Sequence, residues 1–227
     1  MNRGALICLG LFLLFFMFYK SFLRTNHMES TVLNSESYMN KAKLYKKFKL
    51  KNQNVIIGDS RSVDLSLKKS NVINLSIGGE TINTLCQRID NYNFDDSIFF
   101  VIGIGINDIL FLSSKDEIIL NYYKLLNLID SKTHNSVIYI CEILPINISG
   151  FFFKKNSTNL LVNELNVFLN SITLKSHNSN TLSVISFEFF KNQKYELISK
   201  YSDDGVHLDS LGLVKYDSII NNKFINE

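Results

Sequence analysis

The sequence predicts an α/β fold: a three-layer α/β/α sandwich whose five-stranded parallel sheet takes the flavodoxin-like order 2-1-3-4-5, with an N-terminal transmembrane helix in front. Three observations carry this expectation. Five short apolar runs, Val55 to Ile57, Val72 to Leu75, Ile98 to Ile104, Val137 to Ile143 and Leu182 to Ile185, alternate with stretches of helical spacing. Apart from Asn74, Glu142 and Ser183, the runs are apolar at consecutive positions instead of at every second residue, as in parallel strands covered on both faces, and right-handed crossovers between such strands give a doubly wound sandwich. Residues 4–19 carry no charge at all.

At ~1.5 Å per helical residue, that uncharged run nearly spans a ~30 Å hydrocarbon core, and Lys20 can snorkel to complete it. No small-residue cleavage pattern follows, so residues 1–24 are expected to form an uncleaved signal anchor. Arg3 and the amino terminus on one side oppose Lys20 and Arg24 on the other. The positive-inside rule therefore discriminates weakly, and the expectation is a single-pass chain with its catalytic part outside the cytoplasm. Residues 25–53 form a polar linker ending in a lysine cluster from Lys41 to Lys51. Such a cluster either meets anionic lipid head groups, which would argue for the cytoplasmic side, or is the solvated face of a helix.

Residues 54–227 read as one domain with no internal repeat. Its first strand stops at Gly58-Asp59-Ser60. A serine at a strand's carboxyl end can be a nucleophile, and it is equally placed to cap a helix beginning near Val63, the commoner role for such a tripeptide. The second run leads into Asn74-Leu75-Ser76-Ile77-Gly78-Gly79, where paired glycines allow a close backbone approach and a free N–H donor. Ile82, Leu85 and Ile89 then recur at helical spacing. The third run ends in Gly105-Ile106-Asn107-Asp108, beside Ser60 if the order is right, because ligands in such sheets bind where the first and third strands diverge. The Asn107 amide can hold a developing oxyanion or can belong to an ordinary turn.

Two further helical patterns run from Ile118 to Ile129 and from Leu160 to Ile172. Near the C-terminus, Asp204 and His207 lie three residues apart across a glycine-containing turn, which can bring a carboxylate to one imidazole nitrogen and leave the other facing outward. A purely structural histidine is the competing reading. His27, His134 and His177 have no such partner in sequence and are given no role.

The formal charge of +3 in 227 residues, without interleaved basic and aromatic residues, argues against nucleic-acid binding. Cys8, Cys86 and Cys141 lack the spacing of a zinc or redox pair, and the scattered histidines offer no metal site, so neither a metal nor a cofactor is expected.

Four separated blocks, Gly58-Asp59-Ser60, Gly79 in its Asn-x-Ser-Ile-Gly-Gly context, Gly105-Ile106-Asn107-Asp108 and Asp204-Gly205-Val206-His207, together resemble the SGNH, or GDSL-type, hydrolases, in that family's order. The resemblance spans Asn54 to about Tyr216 and includes Leu144-Pro145, where the family often carries a similar pair. It implies Ser60 as nucleophile, His207 as base, Asp204 as its orienting acid, and an oxyanion hole from the Ser60 N–H, the Gly79 N–H and the Asn107 side chain. It also implies the three-layer fold reached independently above. Arg61 departs from the hydrophobic residue usual after the serine; a solvent-facing or salt-bridged arginine and an anion-binding one are both open. Asp203 competes with Asp204 as the acid. The expected function is a serine esterase that removes small acyl groups from a cell-envelope carbohydrate or lipid ester. An O-acyltransferase acting on a sugar hydroxyl and a non-catalytic envelope binding or assembly protein are the alternatives.

Overall fold

The computed structural model describes residues 27–48, 50–68, 71–148, 154–172 and 179–225. The anchor expected over residues 1–24 lies outside them, and among the described residues no helix is long and apolar enough to cross a membrane.

Five parallel strands, β1 (Asn54–Gly58), β2 (Val72–Asn74), β3 (Phe99–Gly103), β4 (Val137–Cys141) and β5 (Thr181–Ile185), pair in the order β2-β1-β3-β4-β5. This is the order expected from the sequence. The uninterrupted apolar character of the strands follows from two cores, one on each face. Val55, Ile57, Phe100, Ile102, Ile138 and Ile140 face α2 (Ile82–Ile89), α4 (Lys115–Asp130) and α5 (Lys155–Ile172). Ile56, Phe99, Val101, Tyr139 and Cys141 face the other way, against Phe187 and Phe190 and against Tyr216 and Ile220 of α6 (Ser210–Ile225). Alternation along each strand thus serves two buried layers, the arrangement that continuous apolar runs require.

β1 and β3 meet in register at Gly58 and Gly103. A Cβ at Gly58 would lie 2.1 Å from the Gly103 carbonyl oxygen, so only glycine lets the carboxyl ends of these two strands approach so closely. β2 ends at Asn74, one residue before the expected Leu75, and Asn74 donates from Nδ2 to the carbonyls of Ser62 (2.8 Å), Val63 (3.1 Å) and Leu65 (3.2 Å). Those bonds hold residues 60–64 as turns where a helix from near Val63 was expected, so Ser60 caps no helix.

Ahead of the sheet, residues 27–33 are helical and α1 (Glu36–Tyr45) follows, its N-terminus capped by the Ser35 hydroxyl accepting from the Tyr38 N–H. This part of the polar, lysine-rich stretch lies against the domain: Tyr38 and Leu50 are buried, and the Tyr45 hydroxyl donates to the Ser76 carbonyl at 3.4 Å.

Candidate active site

The site lies beyond the carboxyl ends of β1 and β3. Directly after β1, the Asp59 N–H donates to the Gly103 carbonyl (3.0 Å), and the Asp59 carboxylate accepts the Arg61 N–H (3.0 Å). This tight turn, secured from below by Asn74, leaves Ser60 half-buried between two fully committed neighbours. Burial is the main influence on Asp59 and pushes its carboxyl up to about 6 even though Arg61 pulls the other way.

Ser60 and His207 line one pocket of about 420 Å³, together with Gly78 and Ile77 of the following loop. A Cβ built on Gly78 would lie 3.7 Å from the Ser60 Cβ, which places the paired glycines against the serine. No hydrogen bond joins the Ser60 and His207 side chains in this structure; such contacts often tighten only when substrate arrives.

His207 is oriented by Asp204, not by Asp203. Its Nδ1 lies 2.6 Å from Asp204 Oδ2, while Oδ1 accepts the N–H groups of Val206 and His207, each at 2.7 Å. Partial burial opposes the charge on Asp204, but the bond to His207 and those two N–H donors outweigh it and hold the carboxyl down at about 2. Gly205 makes the loop feasible: its φ is +76°, and a Cβ there would meet the Asn147 carbonyl oxygen at 2.5 Å.

Asn107 sits in the first turn of α3 (Ile106–Leu110), 9% exposed, and donates from Nδ2 to the Glu80 carbonyl at 2.9 Å. One amide hydrogen is thereby used to tether the loop carrying Gly79, and one remains. Neighbouring Asp108 is buried and caps α2, accepting the Ile82 N–H at 3.1 and 3.2 Å. Burial drives the Asp108 carboxyl well above the usual range.

The loop is braced from beneath by Glu80, whose carboxylate takes a bidentate bond from Arg88 (2.6 and 2.7 Å) and a third from the Tyr38 hydroxyl (3.1 Å). Burial works against both charges of this pair, and at Arg88 the bond to Glu80 prevails and holds the guanidinium in its charged form.

Arg61 is not solvent-facing, and among the described residues it forms no salt bridge. It is 5% exposed, and its guanidinium donates to the backbone carbonyls of Val206 (2.9 Å), Leu144 (2.5 Å) and Pro145 (3.2 Å). The residue after the serine thus clamps the loop that carries His207. Sequence reasoning missed this role and that of Asn74, whose place in the Asn-x-Ser-Ile-Gly-Gly block was the available signal. It also missed that Ser35, Ser37, Tyr38 and Lys41 line the same pocket. Among the described residues no cluster of histidine, cysteine and carboxylate groups could hold a metal ion.

No known family profile matches the chain. An N-acylneuraminate cytidylyltransferase of Streptococcus agalactiae is 24% identical over 153 residues, 67% of this chain but 34% of that protein. The chain therefore spans about a third of the length of the curated relatives it matches. A GDSL-like lipase from Bacteroides thetaiotaomicron superposes with a TM-score of 0.64 at 17% identity, covering 83% of this chain and 95% of that one. A carbohydrate esterase family 3 protein from Talaromyces cellulolyticus superposes with a TM-score of 0.57 at 13% identity, covering 77% and 97%. With the sheet order and the paired strand-end glycines, these likenesses show that the chain has the fold of the GDSL-like lipases and acylhydrolases.

Proposed function

We propose that this protein is a serine ester hydrolase that removes a small acyl group from a carbohydrate. The observation that carries the reading is the shared pocket of Ser60 and an imidazole already oriented by Asp204. Ser60 Oγ attacks the ester carbonyl carbon as its proton passes to His207 Nε2, the nitrogen not engaged by Asp204. The carbonyl π electrons move to oxygen, and the N–H groups of Ser60 and Gly79 and the remaining Asn107 amide hydrogen stabilise that charge. Collapse breaks the bond to the sugar oxygen, which leaves with the proton from His207. Water then gives a proton to the same imidazole and adds to the acyl carbon; collapse breaks the bond to Ser60 Oγ, which takes that proton back as the carboxylic acid leaves.

A carbohydrate ester is favoured by two likenesses: one neighbour in structure is named a carbohydrate esterase, and the relative in sequence is named for a sugar acid. The test is acetate release from acetylated sugars by the wild type and by Ser60→Ala. Loss of turnover in a variant with the wild-type melting temperature is expected; undiminished turnover in that variant would eliminate the mechanism.

A further inference from the structure

We propose that Lys41 selects substrates bearing a carboxylate, so that α1 is a specificity wall of the pocket. This rests on the ester-hydrolase reading of the Ser60 pocket. α1 lines that pocket through Tyr38 and Lys41, opposite the turn that carries Ser60. It is fastened there at several points. The Tyr38 hydroxyl donates to Glu80 Oε1 at 3.1 Å, directly beneath the Gly79 loop. The preceding helical stretch adds Glu29, which accepts the Thr81 hydroxyl at 2.7 Å and the Asn83 amide at 3.1 Å. Val32 closes over Gly79, where a built Cβ would lie 3.2 Å from Val32 Cγ2. The wall is thus positioned by the same loop that supplies an oxyanion donor.

Two cationic side chains line the pocket, and they differ in what their charge already serves. The Arg61 guanidinium is taken up by three backbone carbonyls. Lys41 is half-buried, and no carboxylate among the described residues pairs with it; Asp64, an exposed residue that lines the same pocket, forms no ion pair with it. An ammonium partly withdrawn from water without a protein counter-ion gains most from a ligand that brings one. A single such contact at a partly exposed site discriminates by up to about fivefold.

The experiment compares acetylated glucuronic acid with the matching acetylated glucuronamide, which has the same shape without the charge. Acetate release is measured for wild type and Lys41→Met, with 4-nitrophenyl acetate as the esterase control. Calorimetry measures binding of the same two ligands to Ser60→Ala with and without Lys41→Met. The wild type is expected to favour the acid by up to about fivefold in kcat/KM, the ratio falling towards one in Lys41→Met and as salt is raised. Equal rates on acid and amide in the wild type, or a ratio unchanged in Lys41→Met, would overturn the role of Lys41 and leave the esterase reading intact. No hydrolysis of any ester, with tighter acid binding to Ser60→Ala that is lost in Lys41→Met, would overturn the esterase reading and support the Lys41 contact. Absence of both hydrolysis and acid-selective binding overturns both.

Discussion

Replacing Arg61 with methionine keeps a long apolar stem in a buried slot and removes every bond the guanidinium makes. Three backbone carbonyls, of Val206, Leu144 and Pro145, lose their donor at once. At about 1 kcal/mol net for each such bond, the variant loses about 3 kcal/mol of stability, equivalent to a fall of about 6–12 °C in melting temperature for a domain of this size. The kinetic effect is separate, because Val206 adjoins His207 and its tie to Arg61 fixes how that imidazole meets Ser60. A misplacement of about 1 Å at a reacting group costs about 10²-fold, so kcat on 4-nitrophenyl acetate should fall by about that factor with little change in KM. Arg61→Lys should regain part of the melting temperature and little of the rate, since one ammonium cannot span three carbonyls. Were Arg61 an anion-binding residue instead, KM for acidic esters would rise and kcat would hold. A variant Arg61→Met with wild-type melting temperature and kcat would refute the clamp.

Asn107→Ala removes both one of the three proposed oxyanion donors and the tether to the Glu80 carbonyl; kcat should fall by about 10²–10³ with a stability loss of about 1 kcal/mol, read from steady-state kinetics and thermal melts. Asp204, held at about 2 in the folded chain, stabilises the fold fully above its unfolded pKa of about 4, and that contribution fades as pH falls towards 2. The melting-temperature gap between wild type and Asp204→Asn should therefore narrow as pH falls below about 4 and close by about pH 2; a gap that persists there would contradict the bonds that hold Asp204 ionised. Asp59, raised to about 6, contributes the opposite slope between about pH 4 and 6 in both proteins and cancels from the difference.

The sheet was readable from the chain because a parallel strand buried on both faces leaves an unbroken apolar run; β1, β3 and β4 each left one, and the edge strands β2 and β5 left shorter runs interrupted at Asn74 and Ser183. α6 was not read as a helix, and the reason is visible in its packing: it buries Tyr216 and Ile220 while Leu211 and Val214 are 55% and 68% exposed, which blurs the helical period. α3 is five residues long and opens at a glycine, so it read as a turn. Within the candidate site, residue types with local spacing were legible; Asp204 and His207 sit three apart and do meet. What stayed hidden depends on partners far along the chain or on backbone atoms. Arg61 binds carbonyls, which have no signature in sequence. Tyr38 reaches Glu80 across 42 positions, so the polar stretch around it looked like a linker and Lys41 like one lysine among several.

The pocket joins Ser60, at the end of a central strand, to His207, which follows every strand of the sheet. On the ribosome the consequence is one of timing. β1, β2 and β3 can pair once the chain has emerged past Gly103, yet the imidazole and its Asp204 partner arrive after β5. The Val206 carbonyl that Arg61 grips arrives with them. A nascent chain can thus hold Ser60 in place before it has the imidazole that shares its pocket, so the proposed ester chemistry waits on the segment that follows β5.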